Sequence, residues 1–143
     1  MNSESEKPST IIFLCVANSA RSQMAEGLAR ASAPAGWTVY SAGSNPGIVN
    51  PLAIEALSEL DIDITDHKSK GLDDVPMDEA DLVVTLCDEE VCPVVPQGAE
   101  HLDWAMPDPA LADDQIRFQM DAFRDTRDEI KKRIEALWKE RAA

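Results

Sequence analysis

Cys15, Arg21 and Ser22 stand together in the stretch FLCVANSARSQMAEG, residues 13–27. A thiolate can attack an electrophilic oxyanion, and a guanidinium six residues later can hold its oxygens with a planar, bidentate contact. The only other cysteines, Cys87 and Cys92, lie close together in LCDEEVC. Two neighbouring thiols can pass to a disulfide and so supply two electrons, or they can be inert packing groups. The acidic residues between them disfavour a thiolate at either position. A zinc site from this pair with His67 or His101 has poor ligand spacing. No metal and no cofactor is expected. Residue types alone leave Cys15 open between a small hydrophobe closing a strand and a nucleophile.

The elements around these residues narrow that choice. TIIFLCV (10–16) is a continuous apolar run suited to a strand buried on both faces. From Ser19 the spacing turns helical, with Met24, Leu28 and Ala31 on one face, and stops near Pro34-Ala35-Gly36. WTVYSAG (37–43) reads as a second strand, and Pro51 through Leu60 as a helix with Ile54 and Leu57 inward. Residues 61–76 form a polar connection, ADLVVTLC (80–87) a third strand, and EHLDW (100–104) a short fourth. Residues from Asp113 to Arg141 make one amphipathic helix, whose face of Ile116, Met120, Phe123, Ile130, Ile134 and Leu137 is interrupted at Arg127.

Strands alternating with helices predict an α/β fold, a parallel sheet covered on both faces. Ligands in such folds sit beyond the carboxyl ends of the strands, where Cys15 and Cys87 both fall. The loop after Cys15 runs into a helix N-terminus. There the backbone of Val16, Ala17, Asn18, Ser19 and Ala20, with Arg21, can cradle an anion, and the same field favours the Cys15 thiolate. Ser22 can donate to the sulfur, and Asn18 can brace the loop.

At 143 residues the chain has the size of one domain, read as 10–143 behind a flexible arm at 1–9. A net charge of −14 makes nucleic acid and acidic membranes poor partners. Any bound anion must therefore be held by a local field. No apolar run is long enough to span a bilayer, and MNSESEKPST lacks the order of a secretory signal, so a cytoplasmic location is expected. Nothing in the sequence demands a dimer, and a monomer is expected.

CVANSARS resembles the C-x5-R-S signature of low-molecular-weight protein tyrosine phosphatases and of the arsenate reductases that share their fold. SQMAEG (22–27) is similar to the reductase branch, where phosphatases usually carry proline after the serine. YSAG, DITDHKSK, DLVVTLC and DPA follow the family order over most of residues 10–140. The resemblance implies a three-layer sandwich with a four-stranded parallel sheet flanked by helices. It makes Cys15 the nucleophile, Arg21 the oxyanion ligand, Ser22 the group that favours the thiolate, and Asp108 the general acid. It also implies a relay. Cys15 attacks arsenate, Cys87 then displaces arsenite by forming a Cys15–Cys87 disulfide, and Cys92 resolves this to Cys87–Cys92 for thioredoxin to reduce. A phosphatase of the same fold has no use for the cysteine pair. A non-enzymatic oxyanion or redox sensor remains the reading from a different class.

Departures from the family matter. Four residues between Cys87 and Cys92 is a short spacing, and Ala17 replaces a common glycine, so Ala17 is expected to keep a negative φ. Ala20 replaces a further cysteine found in many phosphatases. Some relatives bind potassium at positions matching Asn18, Glu26, Ser41 and an acidic residue. Here the last position is Lys70, whose ammonium is expected to replace the ion and pair with Glu26.

Disulfide-bonded Cα atoms lie about 4.4–6.8 Å apart, whereas residues five apart on a helix are separated by roughly 7.5–9 Å. Residues 88–97 are therefore expected to change conformation between the dithiol and disulfide states. Amide hydrogen exchange should be faster over this segment in one redox state, and equal protection in both would contradict it.

Overall fold

The computed structural model describes residues 9–87, 95–111 and 116–141. β1 (Ser9–Cys15) is central because Ile11, Ile12, Phe13 and Leu14 leave no face for water, and all four are fully buried. It pairs in parallel with β2 (Trp37–Gly43) on one side and β3 (Leu82–Thr85) on the other, and β4 (Glu100–Asp103) adds beyond β3. The order β2-β1-β3-β4 puts the reversal of winding at the end of β1, where Cys15 sits beside Gly43 of β2.

Alternation along β1 divides the core. Ile11 and Phe13 face a layer made of α1 (Arg21–Ser32), α2 (Pro51–Ser58) and α3 (Ile116–Arg141). Ile12 and Leu14 face the opposite layer, where Val75 and Ala80 are buried and Leu72, Met77, Val95 and Ala99 pack against them. Right-handed crossovers require the β1–β2 connection and the final approach to β3 to lie on opposite faces, as they do. The sandwich with its four-stranded parallel sheet is the expected fold. Among the described residues, its second outer layer is built from short 3₁₀ turns at Leu72–Asp74 and Met77–Glu79.

Several sequence expectations shift in detail. Ala31 is exposed, as are Arg30 and Ser32, because the last turn of α1 runs past the packed layer. Ile54 is only half-buried, since α2 turns Ala53, Ala56 and Leu57 inward instead. Ser9 belongs to β1, and the rest of the expected N-terminal arm lies outside the described residues, as do 88–94 of the segment expected to rearrange.

The interruption at Arg127 has a structural reason. Its guanidinium is buried and donates to the Ala56 carbonyl at 2.9 Å and to Glu59 at 2.7 Å, closing the C-terminal end of α2 against α3. Hydrogen bonds from Arg124 and then Arg127 hold the Glu59 carboxyl down at about 2.

α1 can pass close to α2 because Gly27 has no side chain. A methyl group there would stand 2.5 Å from Leu57 Cδ1 and 2.8 Å from Ile64 Cγ2, both in the core. Gly27→Ala should lower unfolding stability by about 1–3 kcal/mol, the usual cost of overpacking, as read from urea denaturation.

Candidate active site

The loop from Val16 to Ala20 carries five carbonyls, and each has a partner on the outside. Val16 O accepts from Asn45 N at 2.9 Å, and Ala17 O from Gly47 N at 3.0 Å and Ser69 Oγ at 2.8 Å. Asn18 O accepts from Gln23 Nε2 at 3.2 Å, Ser19 O from Asn50 N at 2.9 Å, and Ala20 O from Met24 N at 2.9 Å. With the acceptors turned away, the loop presents amides to its concave side, a backbone nest for an anion. No side chain caps α1 at Ala20, so the first amides of the helix join that field.

The turn depends on Asn18, which takes φ 48°, a left-handed conformation that asparagine tolerates better than most residues. Ala17 is not among the positive-φ residues, as its side chain requires. Close approach matters as well: a methyl on Gly43 would collide with the Val16 carbonyl oxygen, so β2 must end in glycine for the loop to close.

Cys15 is a free, buried thiol at the bottom of this cradle. Its Sγ lies 2.8 Å from Ser22 Oγ. Asn18 Nδ2 donates to Ser22 Oγ and to Ser41 Oγ, both at 2.9 Å, and Ser41 Oγ donates to Glu26 Oε1 at 2.5 Å. Ser22 therefore accepts from Asn18, and its own proton goes to the sulfur when Cys15 is a thiolate. That arrangement suits a thiolate, which can only accept.

Arg21 is 5% exposed and reaches across the mouth of the site. Nη1 donates to Leu86 O at 3.1 Å and Met106 O at 2.9 Å, while Nη2 stands 3.8 Å from Asp108 Oδ2. Asp108 is held in turn by the Ala110 amide on Oδ1 at 3.0 Å. Cys15, Ala17, Ser19, Ala20, Arg21, Asp108 and Ala110 enclose a cavity of about 100 Å³. That is room for one small tetrahedral anion.

Residues 10–142 match the low molecular weight phosphotyrosine protein phosphatase family. The chain belongs to that family. It is 45% identical over 129 residues to an arsenate reductase of Halalkalibacterium halodurans, covering 89% of this chain and 93% of that protein. The structure of an arsenate reductase in the phosphate binding state superposes with a TM-score of 0.79 at 31% identity, over 92% of this chain and 98% of the other. A thioredoxin-dependent arsenate reductase of Corynebacterium glutamicum superposes with a TM-score of 0.71 at 33% identity, over 94% of this chain and 62% of its own.

The parts of the site come from several strand ends. Cys15, Arg21 and Asp108 line one cavity, Ser22 touches the Cys15 sulfur, and Asn18, Glu26, Ser41 and Lys70 form a connected cluster behind it. Cys87 is buried, lies just beyond β3 and is disulfide-bonded. Cys92 lies outside the described residues. Other contributors carry no local sequence signal: the amides of Asn45, Gly47 and Asn50, the Ser69 hydroxyl, and the His67 ring, whose Nδ1 is 2.9 Å from Gln23 Oε1. Burial pushes the His67 imidazole below its usual range. The Arg30 and Lys70 charges add to that effect, and Glu26 opposes it.

Glu26 is 2% exposed and meets Arg30 at 2.7 Å, Lys70 Nζ at 3.2 Å and the Ser41 hydroxyl. The Lys70 amide also donates to Asn18 Oδ1 at 2.7 Å. A cation already occupies the position beside Glu26. Exchanging sodium for potassium in the buffer should leave the thermal unfolding midpoint unchanged, and a potassium-specific rise would contradict this role for Lys70.

Proposed function

We propose that the protein reduces arsenate to arsenite through the three-cysteine relay and is regenerated by thioredoxin. Arg21 is the observation that carries this reading. One guanidinium lines the anion cavity, holds the peptide carbonyl immediately before Cys87, and holds the loop that ends in Asp108. Oxyanion, second cysteine and acid are thus tied to a single group.

In the first step the Cys15 thiolate forms a sulfur–arsenic bond, and a hydroxyl leaves arsenic as water with the proton of Asp108. The Cys87 thiolate then attacks Cys15 Sγ. A disulfide forms, the sulfur–arsenic bond breaks, and its electron pair stays on arsenic, which leaves as arsenite. Attack by Cys92 on Cys87 returns Cys15 as a thiolate, and an external dithiol reduces the remaining disulfide.

Supporting this reading are the 45% identity to an arsenate reductase and the likeness to a thioredoxin-dependent one. Among the described residues, none that lines the cavity is aromatic, so none offers an aryl ester a stacking wall. The relay belongs in a reducing cytoplasm and needs one copy of the chain. No helix among the described residues is long and apolar enough to cross a membrane.

Arsenate turnover with thioredoxin, thioredoxin reductase and NADPH tests the proposal. Wild type should turn over, and Cys15→Ser, Cys87→Ser and Cys92→Ser should each fall to background. Asp108→Asn should lose about 100-fold or more, the usual worth of a general acid. Normal turnover by Cys92→Ser would overturn the relay. Arsenate binding without arsenite release would favour a sensor.

A further inference from the structure

Gln23 is fully buried in the first turn of α1, yet it touches neither the cavity nor the sulfur. The hydrogen-bond partners around it fix the orientation of every amide between it and Cys15. A backbone N–H can only donate, so the Asn18 atom facing the Lys70 amide at 2.7 Å is the carbonyl oxygen. The Asn18 nitrogen then faces Ser22 and Ser41. Similarly, Gln23 presents one side-chain atom to two backbone carbonyls, Asn18 O at 3.2 Å and Lys68 O at 2.9 Å. That atom must be nitrogen, and it also lies 2.9 Å from Asn18 Oδ1. Gln23 Oε1 is left facing His67 Nδ1, which therefore carries a proton.

All the donors point one way. His67 donates to Gln23, Gln23 to Asn18, Asn18 to Ser22, and Ser22 to the Cys15 thiolate, which can only accept. Each donor in such a chain is polarised by the one behind it, so the last bond, the one to sulfur, is the one strengthened. Asn18 alone has no reason to keep its nitrogen toward Ser22. With two acceptors to share, it is held by the Lys70 amide and the Gln23 amide together.

We infer that Gln23 is a positioning residue for the nucleophile: with His67 behind it, it locks a one-way chain of donors that ends on Cys15. The inference rests on Cys15 being the reactive thiol of the proposed function. It assigns to the buried Gln23 amide a task that neither the cavity lining nor the cysteine relay requires.

The test is the pH profile of Cys15 alkylation by iodoacetamide, in a Cys87→Ser/Cys92→Ser background where Cys15 is the only thiol. Gln23→Met keeps the length of the side chain and removes the donor. It should move the midpoint of the profile to higher pH and slow alkylation at pH 6 by about fivefold, the equivalent of one hydrogen bond, with the high-pH plateau unchanged. Gln23→Glu presents an acceptor to Asn18 and should move the midpoint further the same way. His67→Ala should give a smaller shift of the same sign. If Gln23→Met fails to melt cooperatively, the other two variants carry the test. An unmoved midpoint in the cooperatively folded variants overturns the inference, even if the plateau falls. Alkylation uses neither arsenate nor reductant, so its outcome is separate from that of the turnover assay.

Discussion

A loop that binds an anion through its backbone has to dispose of its own carbonyls. Each peptide brings one acceptor for every donor, and an acceptor aimed at an oxyanion repels it. Between Val16 and Ala20 this constraint is met five times, by partners drawn from residues 45–50, Ser69, Gln23 and the first turn of α1. Much of the architecture follows from it. The chain after β2 must run beside the loop, β2 must end in a residue without a side chain, and the 67–71 segment must cross behind. Gly43 donates to Lys70 O at 2.9 Å and bridges to Gly71, so all three segments close on one another.

The charge behind the cradle is balanced in the same economical way. Glu26 is a buried carboxylate, which is tolerable only when paired and hydrogen-bonded. Arg30 and Lys70 provide the pairing and Ser41 the hydrogen bond, leaving His67, whose Nε2 lies 3.9 Å from Glu26, without need of a charge. The Gln23 contact demands a proton on Nδ1, and burial disfavours a second proton on Nε2.

The sheet and its helices were legible in the sequence because their signals are local. Uninterrupted apolar runs marked β1 and β3, and helical spacing marked α1 and α3. Arg127 looked like a flaw in the apolar face of α3, since nothing nearby in sequence reveals that it closes the end of α2. In the site, Cys15, Arg21 and Ser22 stood out as candidates once the strand–loop–helix order was added to their spacing, and Lys70 stood out through a family resemblance. The amides of Asn45, Gly47 and Asn50 were not readable. Backbone donors have no residue type to betray them, and which loop meets which is decided by strand order. Gln23 could be noticed as a marker of one branch of the family, but its hydrogen bonds depend on the 67–70 segment folding back over α1.

A cavity of about 100 Å³ lined by amides, one guanidinium and small side chains recognises shape and negative charge, and little else. Arsenate and phosphate are alike in both respects. The first binding event therefore offers scant discrimination between the two. Selection falls on the next event instead. In the proposed relay, arsenic bonded to sulfur accepts the electron pair as a second thiol attacks, whereas phosphorus has no comparable lower state to leave in. Fidelity in this protein is thus a matter of which atom can depart reduced, and the binding site can remain a generic oxyanion cup.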